Sequence, residues 1–307
     1  MRSPHGNAPR GYSEAGLMEN SFAGGGPVET QARIVSMNIE QGGVHTTLLY
    51  APEIALRAVP MQFVQVKVAP LNDPFLRRPF GLSRISPEEG IIGITWATVG
   101  RGTSLMGLWR EGDTVSVLGP LGNGLRTDRV LRTNPGPHGR RPVWLVAGGT
   151  GLAPLYPLAL SLGPHCRDIT VLYGARTAEA LMDTSLFETV GCKVTVATED
   201  GSAGVKGRVT GPLGHLLASF NGPLSSNPPL AVACGPTPML RAVKAMLRDT
   251  PVELYVSLEE RMACGTGLCK GCAVKAAPPR SGYFHVCSDG PVFPAGEVLL
   301  GGEGQGA

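Results

Sequence analysis

The chain has 307 residues, 42% hydrophobic and 17% charged, with a formal net charge of +3. That length allows two or three domains with separate cores, and the scattered basic residues form no aromatic-interleaved stripe that would point to nucleic acid. No run of 18 apolar residues is present, which argues against a membrane-spanning helix.

The N-terminal "MRSPHGNAPRGYSEAGLMENSFAGGGP" lacks the apolar segment of a secretory signal. It reads as a disordered tail over residues 1–29 of a cytoplasmic protein, where structural disulfides are rare. Residues 30–131 then carry short strand-like runs between turns: "ARIVSMNIE", "HTTLLYAPEIAL", "QFVQVKVAP", "IGITWATVG" and "DTVSVLGPLG". This spacing predicts a small antiparallel barrel. A proline- and glycine-rich linker, "RTNPGPHGRRP", opens a second segment, residues 132–250. There "VWLVAGG", "DITVLYGART", "CKVTVATEDG" and "LAVACGP" alternate with helical patterns, which predicts an α/β domain with a parallel sheet. Residues 251–307 are short, glycine-rich and hold the cysteine cluster.

Cys264, Cys269, Cys272 and Cys287 are spaced C-x4-C-x2-C-x14-C. That is the plant-type [2Fe–2S] ligand spacing, and thiolates suit iron in such clusters. Gly265, Gly267 and Gly271 suit a tight loop that offers N–H groups to sulfur. Zinc is the main alternative, though its structural sites prefer paired knuckles; ordinary thiols are a third. Cys166 and Cys192 read as small buried hydrophobes.

Gly148, Gly149, Thr150 and Gly151 follow an apolar strand and open a helix. In that context backbone N–H groups receive a pyrophosphate. The G-G-x-G spacing differs from G-x-G-x-x-G, and a turn without ligand is the alternative reading. Cys234, Gly235 and Pro236 repeat the strand-to-helix context about 85 residues on, so both turns would lie at the carboxyl edge of one sheet.

The run "GGTGLAP … YGAR … TEDG … CGPTPML" resembles the nicotinamide domain of the ferredoxin–NADP reductase superfamily. The resemblance implies that Cys234 lies at the catalytic position beside the nicotinamide. It also implies an FAD-binding barrel in front, with an R-x-[YF]-[ST] motif at the pyrophosphate. "RRPFGLS" supplies Arg78, Pro79 and Phe80, and an arginine fork suits phosphate oxygens. Gly81 stands where the motif carries Ser or Thr. Thr95, Trp96 and Ala97 correspond to the strand beside the FAD, with Trp96-Ala97 where relatives often carry Tyr-Arg. Gly102 and Thr103 correspond to a second phosphate-contacting turn. Arg176 either meets an adenosine 2′-phosphate or is a surface arginine; the family comparison favours NAD.

The order barrel, nicotinamide domain, cysteine loop, with "SLEERMACGTGLCKGC … YFHVCSDGPVF", is similar to the family of electron transfer subunits of NAD-linked (type B) dihydroorotate dehydrogenase. The resemblance covers about residues 30–300. It implies an α+β multidomain protein: an antiparallel flavin-binding barrel, an α/β parallel-sheet nicotinamide domain, and a small C-terminal [2Fe–2S] loop domain. It further implies an FMN-containing catalytic partner, a two-plus-two heterotetramer, and electrons passing through [2Fe–2S] and FAD to NAD⁺ in pyrimidine biosynthesis. The small subunit of a ferredoxin:NADP⁺ oxidoreductase or of a sulfide dehydrogenase is the alternative. A non-enzymatic redox sensor or zinc module is a further one, against which both nucleotide-type turns argue.

Overall fold

The computed structural model describes residues 26–40, 43–70, 72–126, 141–163, 168–220 and 228–301. The expected tail up to residue 25, the linker up to residue 140 and Cys166 lie outside these residues.

Six strands, β1 (Val28–Ile39), β2 (Val44–Tyr50), β3 (Phe63–Val66), β4 (Arg78–Ser86), β5 (Ile91–Ala97) and β6 (Thr114–Leu121), form a closed barrel. The order is β1-β2-β5-β4-β3-β6 and each pair is antiparallel, as the strand spacing predicts. Closure leaves no sheet edge to protect. The run "HTTLLYAPEIAL" divides where it reads as one strand: β2 stops at Tyr50 and helix α1 (Pro52–Arg57) follows. Proline in the first turn fits a helix start, and Glu53 early with Arg57 late complement the helix dipole.

A short helix α2 (Arg101–Met106) follows β5. Beyond the linker, a seven-stranded sheet has the order β10-β9-β8-β7-β11-β12-β15. Its strands are β7 (Val143–Gly148), β8 (Ile169–Ala175), β9 (Lys193–Thr198), β10 (Val205–Lys206), β11 (Leu230–Cys234), β12 (Glu253–Ser257) and β15 (Val292–Pro294). All pair in parallel except β15, which runs antiparallel to β12. The last two strands come from beyond residue 250, so the sheet draws on the C-terminal segment as well.

The faces of β7 show why its run is continuously apolar. Trp144 and Val146 point to one core, with Leu213 of α5 (Thr210–Ser219) and Leu240 and Val243 of α6 (Thr237–Leu247). Leu145 and Ala147 point to the other, with Leu155 and Leu158 of α3 (Leu155–Leu162) and Phe187 of α4 (Ser185–Thr189). A parallel strand covered by helices on both sides has no polar face. Arg141, 5% exposed, ties the strand bases together. It donates to the Pro228 and Pro229 carbonyls and pairs with Glu253 at 2.5 Å.

The C-terminal segment adds a two-stranded pair, β13 (Ala273–Lys275) and β14 (Tyr283–His285). Its core is continuous with both larger units: Cys272, Phe284, Val286 and Cys287 share one apolar cluster with Phe63 and Leu121 of the barrel and Val256 of the sheet. Asn123, just after β6, seals the joint by donating its backbone N–H to Gly290 and its side-chain amide to Asp289. Among the described residues no helix is long and apolar enough to cross a membrane.

Candidate functional site

The two glycine turns meet. β7 and β11 are neighbours, with Cys234 opposite Ala147, while β8 lies on the other side of β7. The connection therefore reverses direction at β7, which is the topological switch point where open α/β sheets bind ligands. A Cβ on Gly151 would lie 2.4 Å from the Cys234 carbonyl oxygen, and one on Gly235 would lie 3.0 Å from the Gly148 backbone nitrogen. Neither turn could pack so closely with side chains. Gly149 instead has φ +55° and open space where a side chain would stand, so its backbone is presented outward. After a 3₁₀ turn over Gly149–Leu152, α3 begins, with the Thr150 carbonyl accepting from Ala153. Pro236 precedes α6 and its ring backs onto Gly148. This cradle fits a dinucleotide.

Cys234 is 2% exposed. Burial first, and the carboxylate of Glu259 second, push its thiol up to about 12, while a hydrogen bond from Ser257 acts the other way. Glu259 is exposed, and desolvation by the protein around its carboxyl raises its pKa. Ser257 and Glu259 are the site neighbours that sequence reasoning missed. They lie at the end of β12, and only its pairing beside β11 brings them to Cys234.

On the barrel, a Cβ at Gly102 would lie 2.9 Å from Nε of Arg78, so α2 starts against the guanidinium. Arg78 donates to the Leu76 carbonyl at 2.6 Å, and among the described residues no carboxylate pairs with it. An arginine without an acidic partner beside a close-packed glycine turn fits a phosphate group. The Thr103 hydroxyl accepts from the backbone of Val99 and Gly100 and donates to the Gly100 carbonyl, which fixes the turn. Gly81 is explained by the α/β unit: a Cβ there would lie 3.3 Å from Pro154. Pro79 stands opposite Gln65 in the β3–β4 register, Phe80 packs on the barrel core, and Ala97 packs against the α/β core.

The Trp96 side chain points into the barrel, 2% exposed, and donates to the buried Thr47 hydroxyl at 3.0 Å. Strand alternation sends Thr95 and Ala97 outward and the Trp96 indole inward, so Trp96 presents its backbone on the outer face. Thr95 shares a hydrogen bond with Thr46. Arg176 is exposed at the end of β8, and Cys192 is buried in an apolar cluster, where burial raises its thiol pKa to about 11.

The four clustered cysteines divide into two at the surface and two inside. Cys269 is exposed and Cys264 half-buried, whereas Cys272 and Cys287 are 2% exposed. Backbone N–H groups serve the sulfurs: Thr266 and Cys269 donate to Cys264, Gly267 to Cys287, and Cys287 to Cys272. Positive φ at Gly265, Gly267 and Lys270 lets the loop fold around them. Burial opposes ionisation of Cys264, but its N–H donors outweigh burial and bring the thiol down to about 6. Cys287 is pushed up to about 12, by burial first and then by Cys272. Thiolates this close repel unless a cation joins them, and a bound metal deprotonates its thiol ligands outright. Among the described residues no three Cys, His, Asp or Glu side chains meet closely enough to share a single ion. The residues fit a sulfur-ligated cluster through their N–H···S donors.

The comparisons decide among the alternatives. The family described as "Iron-sulfur cluster binding domain of dihydroorotate dehydrogenase B" matches residues 259–299, which include all four cysteines. "Oxidoreductase NAD-binding domain" matches residues 145–245. The dihydroorotate dehydrogenase B (NAD(+)) electron transfer subunit of Bacillus caldolyticus is 42% identical over 78% of this chain and 87% of its own. This chain belongs to that family. The subunit of Geobacillus thermodenitrificans, 39% identical over 87% of this chain and 97% of its own, extends the match. Among solved structures, an NADH-dependent reduced ferredoxin-NADP oxidoreductase matches with a TM-score of 0.73 and 31% identity, over 88% of this chain and 90% of that one. Membership in the dihydroorotate dehydrogenase B electron transfer family bears out the expected fold class and the iron–sulfur reading, and removes zinc and the non-enzymatic module.

Proposed function

We propose that this chain accepts electrons from a catalytic subunit that oxidises dihydroorotate to orotate and delivers them to NAD⁺, in the de novo pathway to UMP. The observation that supports this most is the joining of the cysteine loop, the barrel face and the parallel sheet that carries the cradle through one apolar cluster. When bound, the [2Fe–2S] cluster supplies one-electron transfer and FAD supplies the exchange between single electrons and hydride.

Cys264, Cys269, Cys272 and Cys287 would hold the cluster. Arg78 and the Gly102–Thr103 turn would bind the FAD pyrophosphate, with Pro79, Phe80, Gly81, Thr95, Ala97 and the Trp96 backbone along the flavin. Gly148, Gly149, Thr150, Gly151, Gly235 and Pro236 would bind NAD. Cys234, a neutral thiol at neutral pH, would wall the nicotinamide position without adding charge to it. Residues 30–131, 132–250 and 251–307 would form the flavin, nicotinamide and cluster domains, with the C-terminal segment lending two strands to the middle one.

The partner would carry FMN and dock where Cys269 and the 83%-exposed Leu268 face outward, in a two-plus-two heterotetramer. Thiolate ligation supports a reducing compartment, the cytoplasm. The structural match to a ferredoxin-NADP oxidoreductase favours a second reading, in which a different large flavoprotein is the partner.

The test is anaerobic purification from the native host with the retained partner, followed by addition of dihydroorotate. Bleaching of the flavin and cluster absorbance, reversed by NAD⁺, is expected. Bleaching by NADH or NADPH with none by dihydroorotate would move the function to the second reading.

A further inference from the structure

Gln65 is fully buried, and neither its Oε1 nor its Nε2 has a hydrogen-bond partner. Gln62, on the same stretch, shows what a satisfied amide looks like here: it accepts from Val59 at 2.8 Å and donates to Gly122 at 2.7 Å. Leaving a buried polar group unpaired costs stability, and an aliphatic residue would fill the same position on β3 without that cost. The flanking Val64 and Val66 face the barrel core. Strand alternation turns Gln65 the other way, beside Phe63, toward the C-terminal segment.

What it faces is the cysteine loop. A Cβ built on Gly265 would lie 2.8 Å from both Cγ and Nε2 of Gln65. Gly265, at φ +72°, is therefore the residue that lets the loop rest flat on the amide, directly beside Cys264. On its own strand pair, Gln65 stands opposite Pro79, next to Arg78. The amide thus lies between the arginine motif of the barrel and the loop of the cluster family. The loop's own N–H groups serve Cys264, Cys272 and Cys287 from within the loop. Gln65 is a donor arriving from a different domain.

We propose that the Gln65 carboxamide donates an N–H to a sulfur of the cluster on its Cys264 side, and so sets the cluster's reduction potential. This rests on the reading that these cysteines hold a [2Fe–2S] cluster. Gln65 is a positioning and tuning residue: it stabilises the more negative, reduced form, so its N–H raises the potential.

The test is an EPR-monitored redox titration of the full-length, cofactor-loaded protein, with the FAD potential measured in the same sample. Gln65→Met keeps the length of the side chain and removes the donor. The variant is expected to retain FAD, iron and sulfide and to leave the FAD potential unchanged. Its cluster should shift about tenfold toward the oxidised form, a potential lower by about 59 mV. An unchanged cluster potential, or a shift confined to FAD, would overturn the proposal. The wild-type protein gives a reading that does not depend on a variant folding. With ¹⁵N confined to glutamine side chains, pulsed EPR of the reduced cluster should carry a nitrogen coupling; its absence would also overturn the proposal. A wild-type protein with iron-free cysteines would overturn the cluster reading itself, and this inference with it.

Discussion

Cys234 and Glu259 show how burial sets chemistry one side chain at a time. With its thiol pushed up to about 12, Cys234 stays neutral, so NADH-driven flavin reduction should show no step from its ionisation between about pH 6 and pH 9. Cys234→Ala should slow that reduction by about 10–100-fold through lost positioning, with FAD content unchanged; stopped-flow flavin bleaching checks this. Glu259 behaves oppositely to a paired carboxylate, because desolvation raises its pKa in the folded chain. Its contribution to stability is complete below the unfolded pKa and is lost as pH rises through the folded value. Glu259→Gln should therefore flatten the decline in melting temperature above about pH 4.3, as a melting series across pH would record. The cysteines were legible from spacing, because thiolate ligation demands residue type and interval together. Gln65 was not: a glutamine in the alternating run "QFVQVKV" reads as an outward, solvated position, and only docking of the C-terminal segment buries it.

At the scale of elements, the strand–turn–helix junctions carried most of the readable signal. An apolar strand, a glycine turn and a helix each have their own period, and their succession names a binding edge before any contact is known. Two substitutions separate the turns by what they strike. Gly151→Ala meets backbone, the Cys234 carbonyl, and cannot be relieved by a rotamer; it should unfold the cradle locally and abolish NADH reduction of the flavin. Gly102→Ala meets the flexible Arg78 side chain, so the fold should hold while the FAD-to-protein ratio falls on purification. Arg141→Met tests the strand bases. It removes a buried guanidinium from Glu253 and two carbonyls and should cost about 3 kcal/mol in a denaturant titration. Helix α1 escaped the reading because "YAPEIAL" continues the apolar pattern of β2, and Pro52 there starts a helix rather than ending a strand. The inward turn of the Trp96 side chain was not legible, because a family correspondence places a backbone position and does not say which way its side chain turns.

For the whole molecule, the order of the three units was legible, since each has its own texture of strands, alternating elements or glycine-rich loop. Their mutual packing was not. β12 and β15 leave the C-terminal segment to complete the sheet, and Phe63 and Leu121 leave the barrel's face to share a core with Cys272 and Cys287. The barrel-to-loop contacts join residues about 150–220 positions apart and have no local pattern. The shared core couples cluster to barrel: Phe63→Ala should cost about 3–5 kcal/mol and should lower iron retention more than FAD retention. One chain connects a nucleotide cradle to a cysteine loop, and electrons should pass between them. The isolated, cofactor-loaded chain, mixed with NADH under anaerobic conditions and followed by EPR, tests this. The appearance of a reduced two-iron signal is the predicted result. Flavin bleaching with no such signal would show that the cradle and the cysteine loop are not electrically connected.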